Sequence, residues 1–265
     1  PVTGSGALIL APSGNSLLSF GGNNGTFSGS ITVTAPVTGT VRITNVNAGS
    51  ALATFTLNTA VTSNQSGTIA FGSLSGNGNL SGSSNTTTYS IGALNTSTSY
   101  GGVIANASIT KTGSGALTLT GASTYSGNTT IDGGSLVVST ATATLGTSAV
   151  SVLSTAINLT IQTGVTNALG NSSVLSLAGG GTAGAADFGF ANLGAGVNET
   201  VGGLILGGNQ VALGTYGSTD SPAEFKLNEF FSGTGIITVV PEPGAVVMLL
   251  SGLGMLGLMR RRSRA

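Results

Sequence analysis

The sequence predicts an all-β chain wound as a parallel β-helix, or solenoid, over residues 1–240, followed by a separate hydrophobic helix at the C-terminus. Three observations carry that reading. Short β-prone runs alternate apolar and hydroxyl side chains with a period of two. Glycine makes up 45 of 265 residues and separates the runs together with Ser and Asn. Before Pro241 no stretch spaces its apolar residues as an amphipathic helix would.

The elements follow in order. Residues 31–34, 41–46 and 53–57 are the first clear runs, and 116–120, 136–139, 158–162 and 236–240 continue the series. In Ala116-Leu117-Thr118-Leu119-Thr120 the leucines share one face and the threonines the other, and Asn158-Leu159-Thr160-Ile161-Gln162 repeats the arrangement. Two short motifs recur. Gly4-Ser5-Gly6-Ala7-Leu8 returns as Gly113-Ser114-Gly115-Ala116-Leu117, and Phe27-Ser28-Gly29-Ser30-Ile31-Thr32-Val33 as Tyr125-Ser126-Gly127-Asn128-Thr129-Thr130-Ile131. Repeated short strands with glycine turns and few aromatics favour stacked coils over a sandwich. Three strands of ~5 residues plus turns use roughly 20 residues, which predicts about 11 or 12 rungs and a rod of roughly 55 Å.

Composition excludes several chemistries. The chain has 7 basic and 7 acidic residues, no His, no Cys and no Trp. Without His or Cys there is no Ser-His-Asp triad, no Cys-His pair and no thiolate or imidazole metal site, and disulfides cannot form. Four of the seven basic residues are Arg260, Arg261, Arg262 and Arg264. Residues 1–259 therefore carry net negative charge and no basic stripe for nucleic acid. Pro1 reads as a processed or truncated end that lacks its signal peptide.

Residues 109–138 run Ile-Thr-Lys-Thr-Gly-Ser-Gly-Ala-Leu-Thr-Leu-Thr-Gly-Ala-Ser-Thr-Tyr-Ser-Gly-Asn-Thr-Thr-Ile-Asp-Gly-Gly-Ser-Leu-Val-Val. This segment resembles the autotransporter-associated β-strand repeat of bacterial surface and secreted proteins. The resemblance extends weakly upstream to about Gly67, and residues 200–240 look like segments that close such proteins. It implies that the β-helix is right-handed. No translocator barrel follows, so an autotransporter in the full sense is not expected.

The C-terminal segment, 241–265, has a different character. Pro241-Glu242-Pro243 precedes the uncharged residues 244–259, and the four arginines follow. As a helix those sixteen residues span ~24 Å, a little less than a ~30 Å hydrocarbon core, a gap that snorkelling arginines close. Prolines separate this span from the body, and arginines beyond it predict a cytoplasmic C-terminus with the body outside the inner membrane. The three parts together resemble the PEP-CTERM sorting signal. That resemblance implies transient recognition by an exosortase, cleavage near Pro241, Glu242 and Pro243, and release or transfer of the body to the cell surface or exterior.

Few side chains remain as catalytic candidates. Asp132, in Ile131-Asp132-Gly133-Gly134, reads as a turn residue, and the isolated Asp187 and Glu199 read likewise. Asp220, Glu224 and Glu229 form the one acidic cluster, and the paired carboxylates of a glycosidase would have to come from it. Solvation of a loop is the simpler role. Gly179-Gly180-Gly181 and Gly207-Gly208 lack the Lys-Ser/Thr ending of a phosphate loop and read as turns. No catalytic residue, metal or cofactor is expected. The sequence points to an exported, non-enzymatic surface or extracellular-matrix protein, structural or adhesive, with exopolysaccharide as a possible partner. The alternatives are a carbohydrate-active β-helix enzyme acting on exopolysaccharide and a receptor-specific adhesin.

Overall fold

The computed structural model describes residues 1–34, 39–153, 158–179 and 190–240. Chain direction is set early: Ser30–Val33 lies parallel on Ala7–Leu10, and Thr40–Ile43 lies parallel on Leu17–Phe20. One turn thus stacks on the turn before it, side over side. The third side opens in the ten-residue strand Gly67–Gly76, which serves two ladders. Its first half pairs with Thr87–Ile91 and its second half with Ser50–Leu57, whose register shifts between Ser50 and Thr54.

From there three parallel ladders climb together. One passes through Ala116–Leu119, Ser135–Val138 and Asn158–Ile161. Another passes through Ser108–Lys111, Thr129–Ile131 and Val150–Val152. The shortest joins Leu80–Ser81 to Ile104–Ala105, and higher up Ala122–Ser123 to Thr144–Leu145. This is the expected all-β solenoid. Alternation explains why it forms: in strands such as Ala116–Leu119, Ser135–Val138 and Asn158–Ile161 every second residue points inward, and the parallel register puts like on like. Leu117, Leu136 and Leu159 stack in this way and are all buried. Phe55, Phe71 and Tyr89 form an aromatic column inside, with ring centroids 4.6 and 5.6 Å apart. Sharp corners let the coil close, and Gly134 shows the requirement. Its φ is +58°, and a Cβ there would run into the carbonyl oxygens of Gly113, Ser114 and Gly115 on the turn below.

The number of turns corrects the arithmetic. The longest ladder stacks ten strands, from Ala7–Leu10 to Phe231–Gly233, so the solenoid has about ten turns, not 11 or 12. In mid-body one turn takes 19 or 20 residues, from Leu117 to Leu136 or from Ile109 to Thr129. Toward the C-terminus the step lengthens to 32 residues, from Leu159 to Ala191, and then to 40, from Ala191 to Phe231. At ~4.8 Å per step the rod is roughly 43 Å long from the first strand of that ladder to the last. The internal repeat is also only half real. Leu8 and Leu117 sit on the same ladder, but Ser30–Val33 belongs to the ladder of Leu117 whereas Thr129–Ile131 belongs to the neighbouring one. That difference of side accounts for the unequal offsets of the two motifs.

Among the described residues the one helical segment is the 3-10 turn Val46–Ala48, capped by the Asn45 side chain accepting from Asn47 N–H. No helix among them is long and apolar enough to cross a membrane. The expected C-terminal hydrophobic helix, the motif Pro241-Glu242-Pro243, the span 244–259 and Arg260, Arg261, Arg262 and Arg264 all lie outside the described residues, as does Asp187.

Candidate functional site

The C-terminal end is built differently from the rest of the rod. Ile236–Val239 stacks parallel on Asn198–Val201, and Gly214–Gly217 then adds to it antiparallel. Phe225–Lys226 completes this four-stranded sheet as its outermost strand. The Tyr216 and Phe225 rings stack with centroids 4.8 Å apart, and the Tyr216 hydroxyl donates to the Ala212 carbonyl at 2.8 Å. Burial and the neighbouring Glu224 carboxylate push the Tyr216 phenol up. A tight hairpin joins Gly203–Leu206 to Asn209–Gln210, and its two linking residues, Gly207 and Gly208, have φ of +56° and +81°. Positive φ at both positions makes this a hairpin turn and not a phosphate cradle.

Asp220 and Glu224 are exposed on this cap. Their backbone N–H groups are anchored, Asp220 to the Ser218 hydroxyl at 3.1 Å and Glu224 to the Thr215 hydroxyl at 2.9 Å. Lys226, two residues after Glu224, donates to the Thr219 carbonyl at 3.4 Å. No group of three acidic side chains among the described residues converges as a metal site would. Asp132 is exposed at its corner, and its N–H donates to the Lys111 carbonyl at 2.8 Å.

Two charged side chains, Lys111 and Glu199, are buried instead. Lys111 is inward in Ser108–Lys111, stacked in register between Ile91 and Ile131. Its ammonium donates to the carbonyls of Thr112, Gly113 and Gly133 at 2.7, 3.0 and 3.0 Å, bridging two turns at a corner. Burial lowers its pKa to about 8. Glu199 is fully buried, and its carboxylate accepts from the N–H groups of Ala168 and Leu169, both at 2.9 Å. Leu145 N–H donates to the Ala168 carbonyl at 2.8 Å, so the carboxylate takes the place that a further strand would fill in this ladder. Burial raises the Glu199 pKa against the pull of those two amides.

Beside the interrupted ladder lies a groove of about 350 Å³, lined by Ser123, Thr124, Thr144, Thr147, Asn167 and Asn171 among others. No charged residue lines it. Its lining mixes hydroxyl and amide side chains with Leu169, Gly146 and Gly170.

The last strand ends at Val239, two residues before Pro241. The body therefore delivers the chain directly into the motif. Residues 239–264 match the PEP-CTERM protein-sorting motif. Residues 109–138 match the passenger-associated transport repeat. No curated protein and no solved structure gives a significant match to the chain. The PEP-CTERM segment marks the chain for export and membrane-associated sorting, and the repeat covers the solenoid strands from Ser108–Lys111 to Ser135–Val138. Lys111 and its carbonyl partners all fall inside the repeat.

Reasoning from sequence missed the roles of Lys111 and Glu199, although the signal was present. Ile109-Thr110-Lys111 and Val197-Asn198-Glu199-Thr200-Val201 keep the two-residue alternation, which puts both charged side chains on the inward face. Glu199 is thus no turn residue. Its partners lie about thirty positions away, across one enlarged turn.

Proposed function

We propose that the chain is an exported, non-enzymatic surface or extracellular-matrix protein, with a structural or adhesive solenoid as its working part. Its PEP-CTERM tail is a temporary membrane address read by an exosortase. The observation that carries this is the order of parts: a charge-poor solenoid whose last strand leads within two residues into Pro-Glu-Pro, an uncharged span and terminal arginines. The apolar span holds the body at the inner membrane, and the arginines resist translocation because charges cross hydrocarbon at several kcal/mol each. Pro241, Glu242 and Pro243 are then the part of the tail that the membrane protease reads. The uncharged groove supports an exopolysaccharide partner, because hydroxyl and amide side chains match the hydrogen bonding of a neutral glycan.

The test is Glu242→Ala in the native host. The expected outcome is a longer form that accumulates in the membrane while insertion is unchanged. Normal processing of that variant would contradict the sorting role. For the non-enzymatic part, purified protein is expected not to cleave polysaccharide; turnover that disappears in Glu224→Gln would overturn it.

A further inference from the structure

Among the described residues, three that are not glycine have left-handed backbone: Asn95, Asn106 and Asn167, with φ of +60°, +50° and +57°. Asparagine tolerates that conformation better than most side chains. At two of the three corners its amide also ties turns together. Asn95 accepts from Ser114 N–H at 2.9 Å on the next turn, and Asn106 donates to the Ser81 hydroxyl at 3.2 Å on the turn before. Asn167 ties nothing: its side chain makes no hydrogen bond to a described residue and lines the groove of about 350 Å³ instead. Thr124, Thr147 and Asn171 line the same groove with side chains equally free, and all four residues are exposed. The wall that carries the two asparagines is fixed from the core side. Glu199 holds the N–H groups of Ala168 and Leu169, which follow Asn167, and the Ala168 carbonyl accepts from Leu145 N–H on the turn below. The free amides therefore stand on a preorganised support.

We infer that this groove binds a sugar unit of a neutral glycan through Asn167 and Asn171, an inference that rests on the adhesive reading under the proposed function. Its volume lies at the small end of ligand pockets, which run from ~300 to ~1,000 Å³. An amide donates and accepts at once, as adjacent sugar hydroxyls do. Leu169 adds an apolar patch to the lining, which suits the C–H face of a pyranose ring. No lysine or arginine lines the groove to receive a carboxylate, sulfate or phosphate, and residues 1–240 carry three basic against six acidic side chains. The glycan is thus an uncharged polymer and not an acidic one.

The test titrates the full-length protein, in a detergent without sugar headgroups, with cellohexaose, maltohexaose and mannohexaose, and with hexagalacturonic acid as the acidic counterpart. Ligand-observed NMR is expected to show at least one neutral oligosaccharide binding with a Kd of about 1 mM or tighter, and the acid not binding. Asn167→Gly, which keeps the left-handed backbone, and Asn171→Ala are each expected to weaken that binding roughly tenfold. Asn95→Gly, whose side chain lies outside the groove, is expected to leave it unchanged. Binding that survives both groove substitutions overturns the site and leaves the adhesive reading standing. Equal binding of the acid overturns the neutral class. If no neutral oligosaccharide binds at about 1 mM, the site and the glycan partner both fall, while export keeps its own test at Glu242.

Discussion

At the scale of single residues, the buried charges set the response to pH. Lys111 gives up its proton at about pH 8 in the folded state, whereas in the unfolded chain it keeps it to the ordinary lysine value of about 10.4. Between those values the unfolded state binds more protons, so stability rises with pH, by up to about 1.4 kcal/mol per unit. Tyr89, Tyr100 and Tyr125 act in the opposite sense. Burial holds all three phenols well above their ordinary range, so above about pH 10 they ionise only on unfolding and stability falls. Denaturant midpoints measured from pH 7 to 11 are expected to climb from about pH 8 and turn over above about 10. Lys111→Met is expected to remove the climb and leave the fall. Glu199 has the reverse acid-side signature: its raised pKa means that the folded state takes up a proton first, so its contribution grows as pH falls toward the ordinary carboxylate range. Glu199→Ala strips two buried amides of their acceptor and is expected to cost about 2–4 kcal/mol in the same assay.

At the scale of elements, the alternation of each strand was legible and the assignment of strands to sides was not. Residues 116–120 and 158–162 were readable because Leu and Thr alternate without interruption, and the strands Ala116–Leu119 and Asn158–Ile161 occupy almost the same positions. The Phe27 and Tyr125 motifs look alike locally, yet the strands that follow them stack on different ladders. Local pattern specifies which residues face inward; the side on which a strand lands depends on corner lengths that only the closed coil reveals. The same holds for the cap, whose antiparallel strands arise where the turn grows from about 20 residues to 40. The inward ladder carries a direct prediction. Leu136 is stacked between Leu117 and Leu159 with no exposure, so Leu136→Ala is expected to lower stability by about 2–5 kcal/mol in thermal or denaturant unfolding. Loss of less than about 1 kcal/mol would mean that the ladder is not packed as described.

At the scale of the whole molecule, a chain with so few charges gains its surface polarity from hydroxyls and amides and its cohesion from backbone ladders that run from turn to turn. That division suits a rod meant to stand outside the cell, where it cannot rely on disulfides because it has no cysteine. The PEP-CTERM segment was readable in sequence because its three parts keep a fixed order, whereas the groove and the cap had no linear signature. In the proposed sorting route the solenoid is the mature protein and the tail only its address. Intact-mass analysis of the protein from its native host, with and without the exosortase, tests it most directly. The mature form in the wild-type host is expected to have lost Arg260, Arg261, Arg262 and Arg264 through cleavage near Pro241, Glu242 and Pro243, and the host without exosortase to hold a full-length form. A mature wild-type protein that still carries those arginines would contradict it and identify the tail as a permanent anchor.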